Sequence, residues 1–118
     1  MNSRAAVGRF GEDLVARRLT ADGWEVVARN WRCPDGEIDL IAREGNCLVI
    51  IEVKTRRSVA YGSPLEAITP RKAARLRKLT ALWLQASGER AGAVRIDAVG
   101  VVIPASGAPV LDHQRGVA

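Results

Sequence analysis

The sequence predicts an α/β domain in which helices flank a central mixed β-sheet, in the order α-β-β-β-α-β. Three observations predict it. Two segments, 3–22 and 70–86, repeat apolar residues at the helical period. Four segments rich in Val, Ile and Leu carry strand character. One pair, Gly45-Asn46, joins two of those strands in the manner of a tight hairpin. A chain of 118 residues supports one hydrophobic core, so residues 1–118 are expected to form a single domain.

The first helix, SRAAVGRFGEDLVARRLTAD, ends at Gly23. At about 100° per residue, Ala5, Gly8, Val15, Ala16 and Leu19 share one stripe with Glu12 in its middle. Val7, Phe10 and Leu14 form a second apolar stripe, which predicts contact with protein on both sides of the helix. Residues 24–32, WEVVARNWR, read as the first strand, and Cys33-Pro34-Asp35-Gly36 supplies a turn. Residues 37–43 and 47–55 are the next two strands, with Gly45-Asn46 suited to a type II′ or I′ turn. If Glu44 faces Cys47, facing residues sum to 91. Asp39 is then expected opposite Glu52, and Glu37 opposite Lys54, on one face of the sheet.

Residues 57–68 read as a loop containing Tyr61-Gly62-Ser63-Pro64. Thr69-Pro70 is a strong helix start, cap followed by proline at the first position. The helix that follows sets Leu76, Leu79 and Trp83 on one side and Arg71, Lys72, Arg75 and Lys78 on another. AVRIDAVGVVI, residues 93–103, is a further strand, and PVLDH is a candidate for a short last one.

Composition narrows the function. The hydrophobic fraction of 47% and charged fraction of 26% are ordinary for a globular protein, and no apolar run approaches the roughly 18–20 residues that span a bilayer. No secretory signal is evident, and the two cysteines are too few for a disulfide scaffold, so a cytoplasmic protein away from the membrane is expected. A net charge of +5 favours an anionic partner such as nucleic acid. Cys33, Cys47 and His113 lack ligand spacing, which gives no reason to expect zinc. Trp24, Trp31 and Trp83 are expected in the core.

The informative stretch is GEIDLIAREGNCLVIIEVKT, residues 36–55. Charged groups here stand among residues apolar on both faces, as in the middle of a covered sheet, where unpaired charge is costly. Two carboxylates brought together repel unless a cation lies between them or one is protonated. Asp39 and Glu52 are therefore candidate ligands for Mg²⁺ or Mn²⁺, with Lys54 placed to orient a water or stabilise charge on a phosphate. A plain salt-bridge network across neighbouring strands is the other reading.

FGEDLVARRL, GEIDLIA, IIEVKTR, YGSPLEAITPRK and VRIDAV, in that order, resemble the YraN family of small bacterial proteins. That family is assigned by similarity to the restriction-endonuclease-like PD-(D/E)xK superfamily, nearest to archaeal-type Holliday junction resolvases. The resemblance runs from about Gly8 to His113 and implies a restriction-endonuclease-like fold. It implies further that Asp39 is the motif acid, that Glu52-Val53-Lys54 is the (D/E)xK element, and that Glu12 is the helical glutamate of the resolvase-like branch. Pro34-Asp35 is a decoy in a turn, since Asp39 has the position facing Glu52. Glu37 is expected to support Lys54 rather than bind metal, and Asp97 to pair with an arginine.

The reading is thus a metal-dependent endonuclease acting on DNA, branched DNA included. Asp39, Glu52 and the Val53 carbonyl hold Mg²⁺ or Mn²⁺, Lys54 handles the attacking water, and Glu12 holds a water or second ion. Arg56, Arg57, Arg71, Lys72, Arg75 and Lys78 are candidates to follow a nucleic-acid backbone. The alternatives are a binding module that keeps the nuclease fold without cleaving, and an interaction protein whose second helical stripe docks a partner or a second copy in a homodimer.

Overall fold

The structure, a computed structural model, describes residues 3–57 and 68–118. Its elements are α1 (Arg4–Ala21), β1 (Glu25–Cys33), β2 (Gly36–Glu44), β3 (Cys47–Arg56), α2 (Pro70–Ser87), β4 (Ala93–Val102) and β5 (Val110–Gln114). PVLDH thus contributes a fifth strand at the sheet edge, and the order is α-β-β-β-α-β-β. Most of the expected loop, including Tyr61-Gly62-Ser63-Pro64, lies outside the described residues.

Local chemistry sets the element ends. Ser3 caps α1 by accepting the Ala6 N–H at 3.1 Å, and Thr69 caps α2 by accepting the Lys72 N–H at 3.1 Å, with Pro70 at the first turn where its missing N–H costs nothing. Gly88 ends α2 at φ +72, a left-handed position that favours glycine. Gly45 stands at φ +59 with Asn46 outside the left-handed region, which selects the type II′ turn over I′.

The five strands run β1-β2-β3-β4-β5, antiparallel except for the parallel pair β3–β4 that α2 connects. Helices cover both faces. On one, Val15, Ala16 and Leu19 of α1 pack with Trp24, Leu40, Ala42, Val49, Ile51, Val99 and Val101. On the other, Leu76, Leu79 and Trp83 of α2 pack on Ile38, Ile41, Leu48, Ile50 and Ile96. Trp24 and Trp83 are core residues as expected, and Trp31 is half-buried at the margin. Gly11 lets α1 approach β3, since a Cβ there would lie 1.8 Å from Thr55 Oγ1. The second stripe of α1 differs from expectation: Leu14 packs on the core but Phe10 is 43% exposed, because the sheet lies under one side of the helix. Among the described residues no helix is long and apolar enough to cross a membrane.

One irregularity shapes everything that follows. The β2–β3 register is Glu44 to Cys47 as expected, but the paired ladder stops at Leu40 and Ile51, one step short of Asp39 and Glu52. The β1–β2 ladder omits the step between Arg29–Leu40 and Trp31–Ile38, where Asn30 and Asp39 would pair. Asn30 there adopts φ +51, a left-handed conformation that asparagine tolerates better than most residues. Side-chain alternation slips with it, for Ile38 and Ile41 face α2 whereas Leu40 and Ala42 face α1.

Candidate functional site

The slip re-aims Asp39. Instead of continuing the ladder, its carboxylate Oδ2 accepts the Val53 N–H at 2.8 Å, so a side chain closes the gap between β2 and β3. The expected backbone-paired couple of Asp39 and Glu52 is therefore corrected to a couple brought together by this bridge. Asp39, Glu52, Val53 and Lys54 line one cleft of about 290 Å³, which Glu37 and, from α2, Lys72, Arg75, Leu76 and Leu79 complete.

Charge in the cleft is concentrated and unevenly matched. Glu52 is only 7% exposed, and two ammonium groups converge on its Oε2, Lys72 Nζ at 2.5 Å and Lys54 Nζ at 3.5 Å. Asp39 makes no ion pair among the described residues, although its charge is felt by Lys72. Burial, the neighbouring Glu52 charge and the fields of Glu12 and Glu37 push its carboxyl up to about 7, against the opposing pull of the Val53 N–H. Lys54 is lowered from the ordinary lysine range by its hydrogen bond with Lys72 and by burial. For Lys72, burial works against the charge, but hydrogen bonds to Glu52 and Lys54 prevail and raise it.

Glu12 borders the cleft from α1. With the Asn30 amide oriented to donate, its nitrogen lies 3.0 Å from Glu12 Oε1 and 3.3 Å from Glu37 Oε2, bridging helix and sheet. Burial raises the Glu12 carboxyl, which the Asn30 bond partly offsets and the Glu37 charge reinforces. Glu37 pairs across the strands with Arg32 at 3.2 Å rather than with Lys54, because Arg32 is its direct neighbour on β1.

The structure therefore gathers Asp39, Glu52 and Lys54 at one cleft with Glu12 at its edge. It adds two residues the motif reading missed. Asn30 was hidden because its strand looks regular by hydrophobicity, although asparagine in mid-strand is a signal for positive φ. Helical spacing groups Lys72 with an outer basic face, yet it folds inward to Glu52. Among the other basic candidates, Arg75 lines the cleft, Lys78 reaches Asp35 in the turn after β1 at 3.2 Å, Arg71 is exposed, and Arg56, the last residue of β3, and Arg57 just after it are exposed. Cys33 and Cys47 are free thiols.

Oxygen donors on Asp39 and Glu52, in a place where Asp39 makes no direct ion pair among the described residues, suit a hard divalent ion. As they stand, no three Asp, Glu, His or Cys side chains among the described residues converge tightly enough to enclose one. Glu52 is instead neutralised by lysine.

Asp97 belongs elsewhere. Fully buried on β4, it takes Arg95 through two hydrogen bonds at 2.8 and 3.0 Å, His113 Nε2 at 2.8 Å and the Gly116 N–H at 3.0 Å. Burial opposes its charge, but those partners bring the carboxyl down to about 2. Arg95 and Arg115 also hold Glu44 and lie over Trp24, which fastens the C-terminal residues to the sheet.

Comparison with known proteins matches residues 11–101 to "Uncharacterised protein family UPF0102". A UPF0102 protein of Streptomyces coelicolor is 57% identical over 120 residues, covering 100% of this chain and 92% of the relative. Another, of Streptomyces griseus, is 55% identical over 118 residues, covering 99% of each. A third, of Beutenbergia cavernae, is 53% identical over 117 residues and again covers 99% of each. Every residue of the cleft, from Glu12 at its edge to Leu79, falls inside the matched segment, and the chain belongs to the UPF0102 family, the YraN family.

Proposed function

We infer that this protein is a metal-dependent endodeoxyribonuclease of the PD-(D/E)xK type on a restriction-endonuclease-like fold. The observation that carries the reading is the cleft itself: Asp39, re-aimed by a strand irregularity onto the Val53 N–H, meets Glu52 and Lys54. A carboxylate whose charge is opposed by three others either holds its proton or needs a cation to offset them, and the oxygen-rich setting favours a divalent ion. The resemblance to resolvase-like nucleases supports the same assignment, and the UPF0102 relatives carry no activity in their names.

In this reading Asp39, Glu52 and the Val53 carbonyl hold Mg²⁺ or Mn²⁺. Such an ion supplies Lewis acidity toward the phosphate and neutralises the leaving oxyanion. Lys54, with its proton affinity lowered, positions the attacking water and stabilises charge that develops on the phosphate. Glu12, held by Asn30, keeps a water at the edge of the cleft. Arg75 and the exposed Arg56, Arg57, Arg71 and Lys78 track the DNA backbone. A homodimer fits a branched substrate, which offers two symmetric cuts.

A second reading, a DNA-binding module that no longer cleaves, draws on one observation: Glu52 is already satisfied by Lys72. Incubation with branched, flapped, single-stranded and plain duplex DNA in Mg²⁺ or Mn²⁺ separates the two. Metal-dependent cleavage of any of these, lost in Glu52→Gln, supports the nuclease. Retained binding without cleavage of any supports the module.

A further inference from the structure

We propose that Lys72 is an exchangeable counter-ion, which occupies Glu52 while no divalent ion is bound and yields that oxygen when one enters, its ammonium then turning to a DNA phosphate. This rests on the metal-nuclease reading and adds to it a residue and a mechanism of loading.

The crowding of one carboxylate oxygen points to such an exchange. Both lysines approach the same oxygen, Glu52 Oε2, so that oxygen can bind a divalent ion only if an ammonium withdraws. Lys54 lies two residues from Glu52 on β3 and is held on the same side by the strand. Lys72 and Lys54 are almost equally exposed, at 26% and 25%, but Lys72 reaches in from a different element, α2, so its side chain can swing into solvent while β3 stays as it is. The helix itself need not move, because Thr69 caps it and Ala73, Leu76 and Leu79 bury its inner face.

The position of Lys72 adds to the argument. It stands in the first turn of α2, a turn with no acidic residue, where the helix dipole disfavours a cation. Glu52 is what holds it there. Once a divalent ion takes over Glu52, the ammonium is repelled by the ion as well as by the helix terminus. Arg75, one turn on, also lines the cleft, so a phosphate entering it meets both side chains. A permanent structural tie between α2 and β3 is the competing explanation, and it predicts that Lys72 adds nothing to DNA affinity once the divalent ion is bound.

The test is calorimetric titration of Mn²⁺ into the full chain without DNA, at constant ionic strength, for the parent, Lys72→Met, Lys72→Gln and Lys72→Arg. Two uncharged variants guard against one that fails to fold, and thermal melts in chelator confirm folding. If Lys72 competes with the ion, the two uncharged variants bind Mn²⁺ roughly tenfold more tightly and Lys72→Arg binds no more tightly than the parent. In Ca²⁺, DNA affinity of the uncharged variants should fall, and the salt slope should shrink by about one phosphate contact. Equal or weaker Mn²⁺ binding by folded Lys72→Met and Lys72→Gln overturns the exchange while leaving the metal site intact. If the parent itself binds no Mn²⁺, the metal reading fails and the exchange fails with it.

Discussion

Replacing Asp39 by Asn should make the stability of the metal-free protein less dependent on pH between about 4 and 7, even as it removes metal affinity. Asp39 is raised from an ordinary value of 3.8 to about 7 by burial and by neighbouring carboxylates. Between those values the folded protein binds a proton that the unfolded chain has lost, so stability falls as pH rises from about 4 to 7. A rise of that size corresponds to about 4 kcal/mol as a ceiling, and exchange with solvent at a half-buried cleft reduces it to about 2 kcal/mol. For a chain of this size that is a fall of about 8 °C in melting temperature. The substituted amide keeps an oxygen for the Val53 N–H but carries no charge, so the variant should lose most of this slope and melt above the parent at pH 8. Melts in chelator at half-unit steps from pH 5 to 8 provide the measurement. Added Mg²⁺ should restore the parent at pH 8 and leave the variant unmoved. Parallel pH profiles for the two proteins would refute the claim that Asp39 bears the uncompensated charge.

Other expectations follow from the same geometry. Lys54→Ala should bind metal at least as well as the parent while cleavage falls by roughly 10²-fold, read by titration beside a gel assay. Replacing Arg71, Arg75 and Lys78 together by Ala should flatten the salt dependence of DNA binding by about 0.9 per lost phosphate contact, with most of the change coming from Arg71 and Arg75 because Lys78 is tied to Asp35. Asp97→Asn should cost about 3 kcal/mol near pH 7 in a denaturant melt, since Arg95 and His113 lose a buried partner. Asp97 is held down to about 2, so its contribution is present above about pH 4 and vanishes as pH falls toward 2, and the variant's deficit should close over that window.

Much of the fold could be read from local chemistry. The Gly45-Asn46 turn set the β2–β3 register, Thr69-Pro70 and Gly88 marked α2, and apolar runs on both faces of β2 and β3 announced a sheet covered by helices. The gathering of Asp39, Glu52 and Lys54 followed from that register. Its detail did not, because a single left-handed residue, Asn30, shifts side-chain alternation without disturbing the hydrophobic pattern on either side. Lys72 escaped for a different reason. Helical periodicity separates a basic side from an apolar one but does not say which lysine of that side folds inward, which depends on where α2 crosses β3. The Asp97 cluster and the neighbouring Glu44–Arg115 pair join β2, β4, β5 and the C-terminal residues over separations of up to 71 positions, beyond the reach of local pattern.

The most direct test of the nuclease assignment is single-turnover cleavage, with the protein in excess over an end-labelled four-way junction and the matching flap, single strand and duplex, in Mg²⁺, Mn²⁺ and chelator. The account predicts cleavage of at least one of these DNAs by the parent in Mg²⁺ or Mn²⁺, none in chelator, and none with Glu52→Gln. Intact DNA in every lane with a folded, DNA-binding parent, or cleavage that persists in Glu52→Gln, would contradict it.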